Sequence, residues 1–301
     1  MPDYRTLPRH IPGTSDLICR PGRNIYPLSG YPGLQLFLEL DTLRTGGFEH
    51  RTAIAGKGSL VNALAIHAER MLSNLGSELA GGSSIIAYRP EELEEYLPSE
   101  FLDTFGTCTT IRSQLQVSPI TFSFIRRLSG SFWNAYSDGA FQRKGYDFPE
   151  GLEEGYRFDE PVFVPEIGYI PQDREAVLQT FPRNCRIASE TFGRIERHFR
   201  CRALEHAFIR LNIGTAIGSD FGPCVRPNFC NPFTYQMFDI NTGQRVDVQD
   251  LSQKAYALWA KRGYRFPIRF DSDELSQARR NMYEFFERLT GKSLHNFYAQ
   301  L

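Results

Sequence analysis

The stretch "LQLFLELD", residues 34–41, decides the fold class, because apolar and polar residues alternate along most of it. Every second residue is a leucine: Leu34, Leu36, Leu38 and Leu40. A period of two predicts a β-strand with one wholly apolar face. Working outward, an amphipathic helix is predicted over 59–75, so strands and helices are interleaved. We therefore expect an α+β fold with a mixed sheet, or sheets, and helices between the strands.

Further elements follow from the same periodicities and from capping residues. Strands are predicted over 83–88 and 108–117. Ser118-Pro119 resembles an N-cap followed by proline at the first helical position, which predicts a helix to about Tyr136. Ser189 predicts a helix over about 190–210, and two more helices are expected over 251–263 and from Ser272 to Gly291.

Composition limits the classes of protein to which the chain can belong. Lys and Arg number 34 against 35 Asp and Glu, giving a net charge of −1. This balance makes nucleic acid an improbable partner and gives no general attraction to anionic membranes. The sequence contains no run of about 18 apolar residues, so no membrane span is predicted. Six scattered cysteines do not resemble a disulfide framework, and we expect a cytoplasmic location in a cell or an infected host.

The N-terminal segment differs in composition from the rest of the chain. Residues 1–33 are rich in Pro, Gly and Arg, which predicts an extended arm. Residues 34–301 then form the α+β globular region. The Gly-, Asp- and Glu-rich stretch 137–160 is the expected place for a division of that region or for a large excursion.

The triplet His67-Ala68-Glu69 matches the first half of a zinc deaminase site, in which His binds zinc and Glu transfers protons. The second half would need Pro-Cys-x2-Cys. Pro223-Cys224 is followed by Cys230, so five residues rather than two separate the thiols. The alternative is that His67 and Glu69 are polar residues on an ordinary amphipathic helix.

A second candidate lies in "HFRCRALEH", residues 198–206. On the predicted helix, His206 falls on the apolar face. It is a candidate catalytic residue, and the alternative is a buried core histidine. His198, Cys201 and Glu205 share a flank at spacings that could hold a metal ion such as zinc. The alternative is a solvated face whose arginines, up to Arg210, pair with interleaved glutamates.

A third candidate is the glycine-containing turn "AGKGSL", residues 55–60. Free backbone amides at a helix start attract anions, so Lys57, Gly58 and Ser59 are candidates for binding phosphate. The spacing is not that of a Walker A loop, because Arg51 stands where its first glycine would be. A plain tight turn is the alternative.

Two functions are compatible with these patterns. The first is an assembly or interaction subunit of a larger complex, viral or mobile-element borne, held by a protein partner or by self-association. The second is a small-molecule enzyme with a metal or phosphate pocket, for which zinc-dependent hydrolytic deamination is the sharpest form. The irregular stretch 213–233, with Cys224 and Cys230, is the expected location of a site or an interface.

Overall fold

The structure is a computed structural model, and helices and antiparallel sheets are both present in it. The predicted α+β class is therefore confirmed. The residues that the structure describes are 11, 14, 18–20, 23–45, 48–73, 84–217, 223–226, 230, 235–246, 261 and 270–301.

The elements are numbered in chain order. The strands are β1 Ile18–Arg20, β2 Arg23–Pro27, β3 Leu34–Glu39, β4 Thr42–Thr45, β5 Phe48–Ala53, β6 Ile85–Ala87, β7 Thr109–Ser113, β8 Leu115–Arg127, β9 Arg157–Ile167, β10 Ile170–Pro171, β11 Leu204–His206, β12 Phe208–Ala216, β13 Cys224–Val225 and β14 Met237–Asp239. The helices are α1 Lys57–Ser73, α2 Pro90–Leu93, α3 Ser99–Phe105, α4 Ser131–Ser137, α5 Arg174–Thr180, α6 Pro182–Arg200, α7 Ser272–Thr290 and α8 Leu294–Tyr298.

The first sheet has five antiparallel strands in the order β1-β2-β3-β7-β6. The predicted strand at 34–41 is β3, and Leu36 and Leu38 are buried as the alternation requires. They pack with Tyr26 and Ile111 in a core between this sheet and α2–α3. β1 and β2 belong to the segment 1–33, so this part of the segment lies in a sheet of its own chain, and a separate arm stays a prediction.

The second sheet has five antiparallel strands in the order β10-β9-β8-β12-β13. Its central strand β8 spans 13 residues, and the helix predicted over 118–136 is wrong there. Residues 120–124 alternate between apolar and polar, with Phe122 and Phe124 separated by Ser123, which is a strand pattern. Ser118-Pro119 mimicked a helix start inside the strand, and the helix begins only at Ser131.

A single residue joins the two sheets along the chain. Gln114 separates β7 from β8; its N–H donates to the Gly33 carbonyl at 2.7 Å, and its carbonyl accepts from Ile217 N–H at 2.8 Å. Gly33 has φ +83°, and a Cβ there would lie 2.6 Å from the Ile217 carbonyl oxygen. The sheets therefore meet in a close backbone contact that only glycine allows.

The main core lies between the second sheet and the long helices. It buries Leu60 and Leu64 of α1, Phe199 of α6 and Phe286 of α7 against the sheet. Within the described residues, each helix is too short or too polar to cross a membrane. The stretch 137–160 contributes Phe141 and other aromatic side chains to the same core, and a division of the chain there stays a prediction.

The helix predicted over 190–210 is misplaced at both ends. α6 begins at Pro182, in the first-turn position that proline favours, and ends at Arg200. Ala203 then takes a left-handed conformation, with φ 53°, and the chain continues as strands β11 and β12. Glycine is the usual residue at such a stop, so the sequence carried no signal for it.

Two other predicted helices have different outcomes. The helix predicted from Ser272 to Gly291 is confirmed as α7, where Asp271 and Glu274 form a capping box and Gly291 ends the helix with φ 73°. Of the helix predicted over 251–263, only residue 261 is among the described residues, and the rest lies outside them. Good caps at both ends made α7 readable from sequence alone.

The start of α1 is held by a carboxylate from the preceding strand pair. Asp41 is buried, and its two carboxylate oxygens accept the backbone N–H groups of Gly56 at 2.9 Å and Gly58 at 2.7 Å. These amides would otherwise have no partner within the helix. Lys57 donates from Nζ to the Leu40 carbonyl at 2.8 Å, which fixes the same corner from the opposite side.

We expect Asp41→Ala to lower the free energy of unfolding by about 2 kcal/mol, because the half-buried amide of Gly56 and the buried amide of Gly58 lose their acceptor. Urea unfolding followed by circular dichroism measures this loss. Asp103→Ala, at an exposed position of α3, serves as the control and should change stability by less than about 0.5 kcal/mol. Equal effects of the two substitutions would show that the cap contributes nothing.

Candidate functional site

One face of the second sheet carries a row of polar side chains. Thr121 on β8 is in register with Glu166 on β9 and with Asn212 on β12, and Ser123 is in register with Arg210. Paired positions lie on the same face, because side chains alternate along each strand. Phe124, which follows Ser123, points to the opposite face, where its ring stacks on Phe192 of α6 at 4.2 Å.

A buried ion pair is at the centre of this row. Arg210 donates from Nε and Nη2 to the Glu166 carboxylate, at 2.8 and 3.2 Å, and Nη2 also donates to Ser131 Oγ at 2.7 Å. Ser123 donates to Glu166 at 2.5 Å. The Glu166 side chain is only 2% exposed and that of Arg210 is 15% exposed. Ser123, Ser131, Glu166, Tyr169 and Arg210 are called the Arg210 site below.

Aromatic rings surround the Arg210 guanidinium. Its Cζ lies 4.5 Å from the ring centroid of Phe132 and 4.9 Å from those of Tyr169 and Phe208. Tyr235 is buried beside the same strand and donates its hydroxyl to the Arg210 carbonyl at 3.1 Å. Glu166 and the rings together hold the guanidinium in one orientation.

The Arg210 site is suited to binding an anion. Nη1 of Arg210 makes none of the hydrogen bonds found among the described residues, and Ser131 beside it is exposed. Arginine matches carboxylate and phosphate geometry with paired donors. A carboxylate or phosphate group can therefore approach the Nη1 edge and the Ser131 hydroxyl without breaking the pair with Glu166.

The side chains of His67 and Glu69, from the predicted deaminase triplet, point in different directions in the structure. Residues two apart on a helix point about 200° apart. His67 faces α6, where its Nε2 lies 3.0 Å from Nε2 of His198, whereas the charge of Glu69 acts on Arg112 and Cys224. His67 and Glu69 therefore do not meet at one ion. The structure instead pairs two histidines that were proposed for different sites.

The metal set predicted on one helix flank is not assembled. His198 is in α6, Cys201 is exposed at the helix end, and Glu205 is on β11. His206, predicted on a helix face, is a buried strand residue whose ring centroid lies 4.1 Å from that of Phe199. Glu205 instead forms ion pairs with three arginines at 3.9, 3.2 and 2.8 Å: Arg126, Arg127 and Arg157.

The two predicted thiols, Cys224 and Cys230, are not part of a metal-binding group among the described residues. Cys224 is on β13 and Cys230 follows it, both buried, and burial raises the pKa of each thiol. A thiol with a raised pKa resists becoming the thiolate that binds zinc. Among the described residues, no group of three or more His, Cys, Asp and Glu side chains could hold a metal ion. The expectation of metal binding is corrected accordingly.

The predicted phosphate residues lie together at the start of α1. Gly58 N–H is already bonded to Asp41, and burial lowers the pKa of Lys57 to about 8, against the opposing charges of Glu39 and Asp41. Ser59 contacts Cys108 at 3.2 Å beside a cavity of about 220 Å³. A carboxylate of the chain thus occupies the position of an incoming anion, and phosphate binding there stays a prediction.

Sequence reasoning missed the Arg210 site, because the parts of β8 and β12 that carry Ser123 and Arg210 were predicted as helices. A usable signal was present: Arg210 and Asn212 alternate with Ile209 and Leu211, as strand residues do. The predicted site stretch 213–233 begins in β12, and 218–222, 227–229 and 231–234 lie outside the described residues.

Comparison with known proteins shows what the chain is similar to. No protein-family model matches it. A phosphoribosylaminoimidazole-succinocarboxamide synthase of Desulfotalea psychrophila is 26% identical over 190 residues, which cover 62% of this chain and 61% of that protein. The matched stretch thus spans about three-fifths of the curated relative's length.

Solved structures share the fold over nearly the whole chain. SAICAR synthase from Saccharomyces cerevisiae in complex with SAICAR has a TM-score of 0.74 and 18% identity, covering 92% of this chain and 95% of that one. A SAICAR synthetase in complex with ADP has a TM-score of 0.59 and 13% identity, covering 92% and 99%. The phosphoribosylaminoimidazole-succinocarboxamide synthase from Ehrlichia chaffeensis has a TM-score of 0.60 and 13% identity, covering 91% of this chain and 98% of that one.

These similarities correct the predicted function. The sequence favoured an assembly subunit, oligomeric and built on protein–protein interaction. That prediction is wrong, because the curated relative is a synthase of a small molecule and the fold is that of SAICAR synthases. The alternative, a small-molecule enzyme, is better supported.

We expect Glu166→Gln to lower the free energy of unfolding by about 3 kcal/mol, because the buried Arg210 charge loses its partner. Urea denaturation measures the change. Glu160→Gln on the same strand is exposed and is the matched control, with an expected change below about 0.5 kcal/mol. A Glu166→Gln protein as stable as this control would contradict the assigned pairing.

The His67–His198 contact predicts a pH dependence of stability. Burial, His198 and Arg202, with Arg70 and Lys292, lower the pKa of His67 from 6.5 to about 4. Between those values the unfolded chain binds a proton that the folded protein does not. The free energy of unfolding is therefore highest above pH 6.5. It decreases as the pH falls to about 4, with a slope of up to about 1.4 kcal/mol per pH unit.

Urea unfolding at a series of pH values between 7 and 4 measures this slope. His67→Gln should flatten it, whereas His295→Gln, at an exposed position, should leave it unchanged. The lowered pKa of His198 acts in the same direction. An identical slope in wild type and His67→Gln would refute the assignment.

Proposed function

We propose that this chain is a small-molecule enzyme that joins a carboxylate and an amine into a carboxamide at the expense of ATP. The observation that carries the proposal is the match to a phosphoribosylaminoimidazole-succinocarboxamide synthase over 190 residues. The SAICAR synthase fold over 92% of the chain supports it. In the product named for that relative, the amide nitrogen carries a succinyl group, as results when aspartate supplies the amine.

The proposed reaction has two balanced steps. An oxygen of the carboxylate attacks the terminal phosphorus of ATP, forming an acyl phosphate and releasing ADP. The amine nitrogen then attacks the acyl carbon, the C–N bond forms, inorganic phosphate leaves, and the nitrogen loses a proton to solvent. ADP, which is bound in one of the similar structures, is the nucleotide that such a reaction leaves.

The Arg210 site gives this chemistry a place to hold an anion. The guanidinium is fixed by Glu166, its Nη2 also donates to the exposed Ser131 hydroxyl, and its Nη1 makes none of the hydrogen bonds found among the described residues. A positive group already in position stabilises a substrate carboxylate or a developing phosphoryl charge without reorganising. We assign Arg210 to binding the anionic group of the substrate.

The test is ADP formation by the purified protein from ATP, phosphoribosylaminoimidazole carboxylate and L-aspartate, with the amide product identified by mass. ADP release that requires both the carboxylate and the amine supports the proposal. No amide with these substrates or with a panel of other amines and carboxylates would overturn it.

Arg210→Lys keeps the charge opposite Glu166 but removes the planar pair of donors. We expect kcat/KM for the carboxylate to fall roughly tenfold to one-hundredfold, as for a lost hydrogen bond to a charged group. Arg183→Lys, at an exposed position of α6, is the control and should leave the reaction unchanged. Unchanged kinetics in Arg210→Lys would remove Arg210 from the site.

A further inference from the structure

The hairpin that joins β9 to β10 has an unusual residue at its turn. Ile167 pairs with Ile170, so Gly168 and Tyr169 form a two-residue turn, with φ 56° and 68°. Turns with two positive φ values strongly favour Asn and Gly. A tyrosine in this conformation is destabilising by about 1 kcal/mol relative to glycine. The local backbone therefore gives no reason for a tyrosine.

Burial gives no reason for it either. Tyr169 is 70% exposed, and its neighbours Ile170 and Ile167 are 59% and 45% exposed. A ring this exposed recovers little of the free energy that burial provides. Among the described residues, the ring contacts the Arg210 guanidinium, at 4.9 Å. The tyrosine thus stands at the edge of the Arg210 site in spite of its backbone and its exposure.

The fixed orientation of Arg210 determines what would touch this ring. Glu166 occupies Nε and Nη2, so an anion approaches at the Nη1 edge and at Ser131. The Tyr169 ring centroid lies 4.9 Å from the guanidinium carbon, so an anion bound there brings its attached atoms within reach of the ring. A planar ring in this position gains from stacking on tyrosine, and a saturated ring of the same size gains less.

We propose that Tyr169 is a specificity-determining residue that selects, as the acid substrate, a planar aromatic carboxylate held at Arg210. The proposal deepens the proposed function and rests on it for the statement that the acid is a substrate. The binding itself depends only on the Arg210 site and needs neither ATP nor an amine.

The experiment compares the binding of two probes by calorimetry: imidazole-4-carboxylate, which is planar, and cyclopentanecarboxylate, which is saturated. Wild type should bind the planar acid roughly threefold to tenfold more tightly. Tyr169→Asn removes the ring, yet asparagine tolerates a positive φ and preserves the turn. This variant should bind both acids equally, with an unfolding midpoint no lower than that of wild type.

Two further variants complete the test. Tyr169→Phe keeps the ring face and should restore the preference for the planar acid. Tyr156→Asn replaces a tyrosine that is 42% exposed elsewhere on the surface, and it should bind as wild type does. A preference that survives in Tyr169→Asn overturns the proposal, and so does a Tyr169→Asn protein that is less stable and binds both acids equally weakly.

The two proposals can fail separately. A preference for the planar acid without ADP formation from any substrate pair would remove the proposed function alone. ADP formation with no preference between planar and saturated acids would remove the role of Tyr169 alone.

Discussion

The buried carboxylate of Glu166 is the constraint on which the second sheet and its polar face depend. A carboxylate this far from water requires a charge partner and hydrogen bonds. Ser123 supplies a hydrogen bond from the adjacent strand β8, and Arg210 supplies the charge from β12, on the far side of β8. This one group links β9 to both β8 and β12 and orients the guanidinium. The guanidinium that Glu166 holds also donates to the exposed hydroxyl of Ser131, at 2.7 Å.

The fold could be predicted where local signals agree with one another. The leucine alternation of β3 and the stop of α7 at Gly291 each favour one structure, and both were read correctly, although the sequence placed the N-cap at Ser272 and the structure has it at Asp271. The errors arose where a local signal opposed the tertiary context. Ser118-Pro119 has the form of a helix start, yet it lies within a 13-residue strand whose neighbours on both sides supply its hydrogen bonds. Pairing across a sheet overrides a weak capping preference.

The candidate site was harder to predict, because its members come from separate strands. Glu166 and Arg210 are 44 residues apart, and His67 and His198 are 131 residues apart. Neither distance leaves a spacing that can be recognised in one sequence. The motifs that did stand out, such as His67-Ala68-Glu69, were contiguous, and helical geometry turns their side chains away from each other. Residues that are adjacent in the sequence, such as those of this triplet, thus suggested a site that the fold does not form.

The single-residue connection between the two sheets, at Gln114, determines how the chain could be divided into two fragments. Every strand of the first sheet precedes this residue, and every strand of the second follows it. Cleavage of the chain there would leave the hydrogen-bonded ladder of each sheet within a single fragment. The two fragments would then be held by side-chain packing, chiefly of α1 against α7 and α8, and by the backbone contacts at the junction. Gln114 is thus a natural position for a split protein whose halves reassemble without exchanging strands.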